Sequence, residues 1–378
     1  MLTLVIADDL TGAAEIAGVA HRLGCRVRLT TSVDGFREED EVVVVATDTR
    51  SMSHDEALRT TLALAAAIRR LDRRPDRLFK KTDSVLRGHI LSELTPLLDE
   101  SHPSALLLPA NPSKGRLIRR RIYTIDGTPL ARTLFRHDPE FPARSSDVVK
   151  RLGGGIPYMT TRTRRRQLPA GVSLGEVGSM SDLRSWVARF DDPTTLWAGG
   201  ADLFQTLLEK QGHNVVAEAP FEGLGRRRAL IVLGSTARHD LFASPFFERN
   251  RVAISPMPDE VFEGGETTVW IEEACAAGLK ADSLLLRIPQ QITHAEGKAL
   301  QLRHQMAHAA KALIERLQPD EVIIEGGATA FTILNLLGWD NLRIANEIAP
   351  GVVRLHHATD NTYLTFKPGS YPWGACFR

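Results

Sequence analysis

Two adjacent carboxylates, Asp8 and Asp9, close the apolar run LTLVIA and stand before Leu10, Thr11 and Gly12. Ligands of open α/β sheets bind at the carboxyl ends of strands, so a pair of acids there is placed to hold hydroxyls or to take a proton. One acid suffices to cap a following helix, which leaves the second asking for a chemical role. The run VVVVA ends in TDTRS and sets Asp48 and Arg50 at another strand end. A guanidinium in that place is a candidate two-pronged clamp for a carboxylate. The segment LFKKTDSVLRGH gathers Lys80, Lys81, Asp83, Ser84, Arg87 and Gly88 within nine positions. Donors of that density, one acid and a glycine at a strand-to-helix turn suit an anionic, hydroxylated ligand. After ALLLPA, the loop NPSKGR adds Asn111, Lys114, Gly115 and Arg116. Four polar strand ends make a cleft, although any one of them alone reads as a solvated loop.

The second half repeats a different device. The run ALIVL leads into Gly234, Ser235 and Thr236, with Arg238 and His239 following, and EVIIE leads into Gly326, Gly327, Ala328, Thr329 and Ala330. Small residues between strand and helix let backbone N–H groups approach a phosphate, with the helix dipole behind them. Each turn alone reads equally well as a tight connection, and neither is a Walker A loop or a G-x-G-x-x-G fingerprint. Two in one half favour a nucleotide.

The elements that position these residues follow from the hydrophobic pattern. Apolar runs at Leu2 to Ala7, Val42 to Ala46, Leu106 to Leu108, Leu196 to Ala198, Ala229 to Leu233, Leu284 to Ile288 and Val322 to Ile324 predict buried parallel strands. Helical spacing between them, with Ile16, Ala20 and Leu23 on one face, Leu58, Leu62, Ala65 and Ile68 on another, and a long helix from near His294 to Leu317, predicts crossovers. The fold class is α/β, in two domains, each with a largely parallel sheet flanked by helices. A chain of 378 residues, 43% hydrophobic, exceeds what one core usually holds. Pro, Gly and charge gather over Ala217 to Arg228, and the division is placed at residues 1–222 and 223–378.

Charge excludes some partners. Lys and Arg number 47 against 46 Asp and Glu, so neither nucleic acid nor an anionic membrane is expected. Cys25, Cys275 and Cys376 are odd in number and in no metal-ligand spacing, and no residues are assigned to a metal. The first apolar run lacks a basic segment before it and is read as a strand, not a signal peptide, and no run approaches the ~20 residues of a membrane span. A cytoplasmic protein is expected.

In order, IADDLTGAAE, ATDTRS, KKTDSVLRGH, PANPSKGR, DGTPLARTLFRHDPEFPARSS, VLGST, EGGAT and FKPG resemble the four-carbon acid sugar kinase family across nearly the whole chain. The resemblance implies an N-terminal substrate domain, a C-terminal nucleotide domain, and phosphorylation of threonate, erythronate or 3-oxo-tetronate with ATP and Mg2+. It places Asp8, Asp9, Arg50, Lys81, Asp83 and Arg87 at the acid sugar, and Ser235, Gly326, Gly327, Ala328, Thr329 and Gly369 around ATP. Three positions depart from the family pattern: Ala328 replaces an acid in the glycine turn, His89 replaces Asn, and FKPGSYPWG replaces LKSGNFG. One of Asp8, Asp9 or Asp83 is expected to act as base, and the residues do not choose among them. A sugar-acid dehydrogenase and a non-catalytic sugar-acid sensor are the alternatives, and the oligomeric state, a homodimer included, stays open.

Overall fold

The computed structural model describes residues 1–138, 140–163, 165–216, 221–235, 241–289, 297–349, 351–367 and 372–378. The chain divides into two compact units, residues 1–27 with 32–216, and residues 28–31 with 217–378. The division after Val216 precedes the stretch where the sequence gathers its Pro, Gly and charge, and four residues of the first half belong with the second.

The first unit contains β1 (Thr3–Ala7), β3 (Val42–Ala46), β4 (Arg77–Lys81), β5 (Ser104–Leu108), β9 (Tyr158–Met159), β10 (Gly171–Gly175) and β11 (Thr195–Gly199). Between β1 and β3 lies β2 (Val27–Thr30), of which all but Val27 belongs to the other unit. The strand order is β9-β10-β5-β11-β4-β1-β3, all parallel. Parallel neighbours require crossovers, supplied here by α1 (Leu10–Arg22), α2 (His54–Arg69), α3 (Ile90–Leu94), α4 (Val148–Arg151), α5 (Met180–Phe190) and α6 (Ala201–Lys210). A separate antiparallel sheet of β6 (Arg116–Arg119), β7 (Ile122–Ile125) and β8 (Thr128–Pro129) interrupts this alternation and has no counterpart in the expected pattern. Strands β1 and β3 are buried along their whole length, as their unbroken apolar runs demand. Helix α2 differs from expectation: its buried face is Ala57, Thr61, Ala65 and Ile68, while Leu62 is exposed. The capping box of Ser53 and Glu56 fixes where that helix begins.

In the second unit β12 (Ala229–Leu233), β13 (Val252–Pro256), β14 (Ser283–Arg287) and β15 (Glu321–Glu325) are parallel. Its last three strands, β16 (Leu342–Ala349), β17 (Val352–His357) and β18 (Thr362–Lys367), form a meander whose β18 runs parallel to β15. The order is β13-β14-β12-β15-β18-β17-β16-β2, with β2 pairing antiparallel to β16 through Leu29 and Arg28. Helices α7 (Pro245–Arg249), α8 (Asp259–Phe262), α9 (Thr268–Gly278), α10 (Lys298–Leu317) and α11 (Gly327–Leu337) connect the strands. His294, the expected start of the longest helix, lies outside the described residues, and the helix is described from Lys298. Among the described residues no helix is long and apolar enough to cross a membrane, and all three cysteines are free thiols.

Candidate active site

Strands β3, β1 and β4 are neighbours in register, with Ala7 opposite both Ala46 and Lys81, so the segments that leave their carboxyl ends must meet. Asp8 and Asp9 follow β1. Asp9 is the N-cap of α1, and its Oδ1 accepts from the Gly12 N–H at 2.8 Å. A Cβ on Gly12 would lie 2.7 Å from that oxygen and 3.3 Å from Lys81 Nζ, so glycine is what lets the helix start so close to both groups. After β3 the chain takes a left-handed turn at Asp48 (φ 53°), and the Arg50 N–H donates to the Asp8 carbonyl at 3.1 Å. Arg50 then donates to both acids: Nε and Nη2 to Asp8 at 2.9 and 2.8 Å, Nη1 and Nη2 to Asp9 at 2.8 Å each. Its Nη1 is also 3.8 Å from Asp83.

This geometry changes the expected role of Arg50. Four of its hydrogen bonds go to the aspartate pair, so it organises carboxylates of the protein and is not an open clamp for one on a ligand. Lys81 is likewise engaged, 3.4 Å from Glu15 Oε2 and donating to the Thr82 carbonyl at 3.0 Å. Arg87 chelates Asp83 through Nε and Nη2 at 3.1 and 2.8 Å and reaches Asp138 at 3.4 Å, and its side chain is 30% exposed. Of the three cations assigned to the acid sugar it is the most open. Its guanidinium lies 5.7 Å from the Phe135 ring centroid.

Burial and charge act differently on the three acids. Burial pushes the Asp8 carboxyl up, but Arg50, Lys80 and Lys81 outweigh it and hold it below the ordinary range. For Asp9 burial is again the largest influence; Arg50 opposes it, the charge of Asp8 reinforces it, and the carboxyl stays above the ordinary range. Asp83 is buried too, yet Arg50, Arg87 and Lys81 bring it far below. The two adjacent carboxyls thus sit on opposite sides of the ordinary range.

Several supporting residues were not singled out in the sequence. Glu15 bridges Lys81 and Lys114, and Glu93 forms a buried pair with Lys80 at 2.7 Å while accepting from Thr49 at 2.9 Å. Glu15 had a readable signal, as the one charged residue in the apolar stretch LTGAAEIAGVA. Asn111, read as part of the polar cleft, and His89, one of the departures from the family pattern, both have structural partners. Asn111 accepts from the Asp202 N–H at the start of α6, and His89 contacts the Met52 carbonyl at 2.8 Å while standing edge-on to His54 and Phe141.

In the second unit the ends of β12, β15 and β18 lie side by side. The Gly234 N–H donates to the Glu325 carbonyl at 3.0 Å, and the Gly326 N–H to the Lys367 carbonyl at 2.9 Å. Gly326 has φ 108°, a conformation that L side chains rarely adopt, and it leads directly into α11 with no side-chain cap. The first amides of a helix left in that state are donors for an anion. A Cβ on Gly234 would be 2.6 Å from Thr329 Oγ1 and 2.9 Å from the Glu325 carbonyl oxygen, so this turn too is closed to any larger residue. Ser235 donates through Oγ to Glu325. Gly369 lies outside the described residues. Among the described residues no three His, Cys, Asp or Glu side chains are grouped to hold a metal ion.

A model of a sugar-binding N-terminal domain matches residues 3–178, and one of a nucleotide-binding C-terminal domain matches residues 263–371. The 3-oxo-tetronate kinase of Brucella melitensis is 23% identical over 411 aligned positions, which cover 99% of this chain and 93% of the relative. The chain carries a sugar-binding N-terminal domain and a nucleotide-binding C-terminal domain, and over nearly its whole length it is similar to the four-carbon acid sugar kinases. The D-threonate kinase of Salmonella typhimurium is 32% identical over 153 residues, and the D-erythronate kinase of Heliobacterium modesticaldum 29% over 170. Those two matches span 36% and 38% of the relatives' own length, and 40% and 42% of this chain. The fold is shared with a crystal structure from Haemophilus influenzae, at a TM-score of 0.75 and 18% identity over 99% of this chain and 98% of that one. A structure from Salmonella typhimurium superposes with a TM-score of 0.77 at 20% identity, over 100% of this chain and 98% of the other. The Asp8, Asp9 and Arg50 cluster lies in the sugar-binding domain. The Gly326 turn lies in the nucleotide-binding domain, and Ser235 precedes the matched part of it.

Proposed function

We propose that this chain is a cytoplasmic, ATP-dependent kinase that phosphorylates a hydroxyl of a four-carbon sugar acid of the threonate, erythronate or 3-oxo-tetronate type. The observation that carries the reading is the aspartate pair held by one arginine, Arg50, after β1 in the sugar-binding domain, with Asp8 held below the ordinary carboxylate range and Asp9, beside the charge of Asp8, above it. Asp9, with the raised carboxyl, is the base: its carboxylate takes the hydroxyl proton while the hydroxyl oxygen bonds to phosphorus and the bond from phosphorus to the leaving oxygen breaks. Asp8 stays ionised and keeps Arg50 in place. ATP supplies the phosphoryl group, and Mg2+ offsets the charge on its phosphates. The amides that open α11 and the turn at Gly234 would receive phosphate oxygens. Arg87, half-open beside Asp83 and Phe135, would meet the substrate carboxylate. Three free thiols fit a reducing compartment.

Purified protein incubated with ATP, Mg2+ and a panel of tetronates and matching tetritols tests this, with NADH absorbance as a control for dehydrogenase activity. At least one acid is expected to be phosphorylated. Charge-assisted contacts contribute about 1.5–3 kcal/mol, so kcat/KM for that acid should exceed its tetritol at least ~10-fold, and Arg87→Ala should shrink the ratio. Equal turnover of acid and tetritol, or no phosphorylation of any acid, refutes the assignment.

A further inference from the structure

Beneath the two glycine turns of the second unit lies an ion pair that the reaction as described does not use. Glu325 and Lys367 are the last residues of β15 and β18, stand in register, and are both 0% exposed. Lys367 Nζ is 2.7 Å from Glu325 Oε2 and 4.7 Å from the centroid of the Trp373 ring. The other carboxylate oxygen, Oε1, accepts from Ser235 Oγ on the neighbouring strand end. The carbonyls of the same two residues receive the amides of Gly234 and Gly326, so side chains and backbone both tie β12, β15 and β18 together at one level.

A buried ion pair is seldom the most stable way to fill such a place; apolar residues of like volume are often as good or better. Its chemical consequence here lies in Ser235. A carboxylate paired with an ammonium accepts hydrogen bonds only, so the Ser235 proton points inward to Glu325. What the hydroxyl then offers a ligand is its acceptor side. A phosphate oxygen is also an acceptor and gains nothing from such a group, whereas Mg2+ and the waters it carries require one. Phosphate donors are in any case supplied by the amides at the start of α11.

We infer that Glu325, fixed by Lys367, sets Ser235 as an acceptor, and that Ser235 addresses the cation carried with the nucleotide and not a phosphate oxygen. The inference rests on the reading of this unit as the ATP site and adds to it the polarity of one hydroxyl. Glu325 and Lys367 are positioning residues.

Calorimetry on the full chain decides it, with ADP titrated once in the presence of Mg2+ and once in EDTA. Ser235→Ala should weaken MgADP binding roughly 10-fold, the loss of one contact to a charged group, and leave metal-free ADP unchanged. The double variant Glu325→Met, Lys367→Met removes both charges together and should keep the fold, as a melting curve will show. It should reproduce the MgADP loss and add nothing when combined with Ser235→Ala, because the three residues act as a unit. Equal loss of MgADP and metal-free ADP in Ser235→Ala would make the hydroxyl a phosphate donor and overturn the inference. So would a folded double variant with the parent's ratio of the two affinities. A parent that binds neither form of ADP overturns the nucleotide reading itself, a separate outcome from either of these.

Discussion

Asp8 and Asp9 are adjacent, share one arginine, and are nonetheless unlike. Asp8 is enclosed by three cations, while Asp9 has the open edge of the cluster, the like charge of Asp8 beside it and one helix amide. The acid with the raised carboxyl is the stronger base once ionised, and a well-placed base contributes roughly 10²- to 10⁴-fold to a proton-transfer step. Asp9→Asn should therefore lower kcat/KM by that order. The sign of the pH dependence follows: Asp9 must be deprotonated, so activity falls as pH drops through a value above the usual aspartate range, while Asp8 remains charged throughout. Asp8→Asn removes the like charge, which should move this acid limb to lower pH, whatever it does to the maximum rate. A limb that stays where it is, or an Asp9→Asn variant with parental activity, would pass the role of base to another group. The sequence displays the three acids but cannot rank them, because the ranking is made by burial, by the charge of Asp8 on Asp9, and by Lys80 at Asp8 and Arg87 at Asp83, all of which depend on how the strands and their loops come together. For the same reason Arg50 reads as a substrate clamp in the sequence and becomes an internal organiser in the fold.

At the scale of elements, what could be read was what burial writes into sequence. The apolar runs of β1, β3, β12 and β15 are legible, and each ends at a segment that holds proposed site residues. Strand β16 was not legible, since LRIANEIA is only partly buried and is bent by register irregularities between Ile344 and Asn346 and between Glu347 and Ala349. Period-two alternation is lost at such bulges. The two central glycines of the second unit look equivalent in sequence, yet only Gly326 has a left-handed φ, while Gly327 is the first residue of α11. Gly326→Ala should consequently destabilise by about 1–3 kcal/mol, the range for a residue forced into a sparsely allowed region. Gly327→Ala should be near neutral in stability, since alanine is favoured inside helices. Urea midpoints of the two variants, measured beside ADP affinity, test this; equal shifts would mean that the turn relaxes and that Gly326 is not held by its neighbours.

At the scale of the molecule the chain divides into two compact units, and a boundary drawn along the sequence captures that division only in part. Composition marks the Ala217 to Arg228 stretch, but nothing local in Arg28–Thr31 tells that these residues complete the sheet of the other unit by pairing with β16. Strand addition of that kind is decided by an exposed edge elsewhere in the chain. The division of labour predicts where each ligand leaves its mark on backbone hydrogen exchange. A ligand at 100 times its dissociation constant stabilises the state that binds it by about 2.7 kcal/mol, enough to slow exchange wherever opening would release it. A tetronate alone should therefore protect peptides covering Asp8 to Gly12 and Thr82 to His89, and ADP with Mg2+ alone should protect those covering Leu233 to Ser235 and Gly326 to Ala330. Protection of the Asp8 peptide by ADP, with Gly326 to Ala330 unchanged, would place the nucleotide in the first unit and reverse the assignment of the two domains. The measurement needs no turnover, so it separates a chain that binds both ligands without catalysing transfer from one that has lost either site.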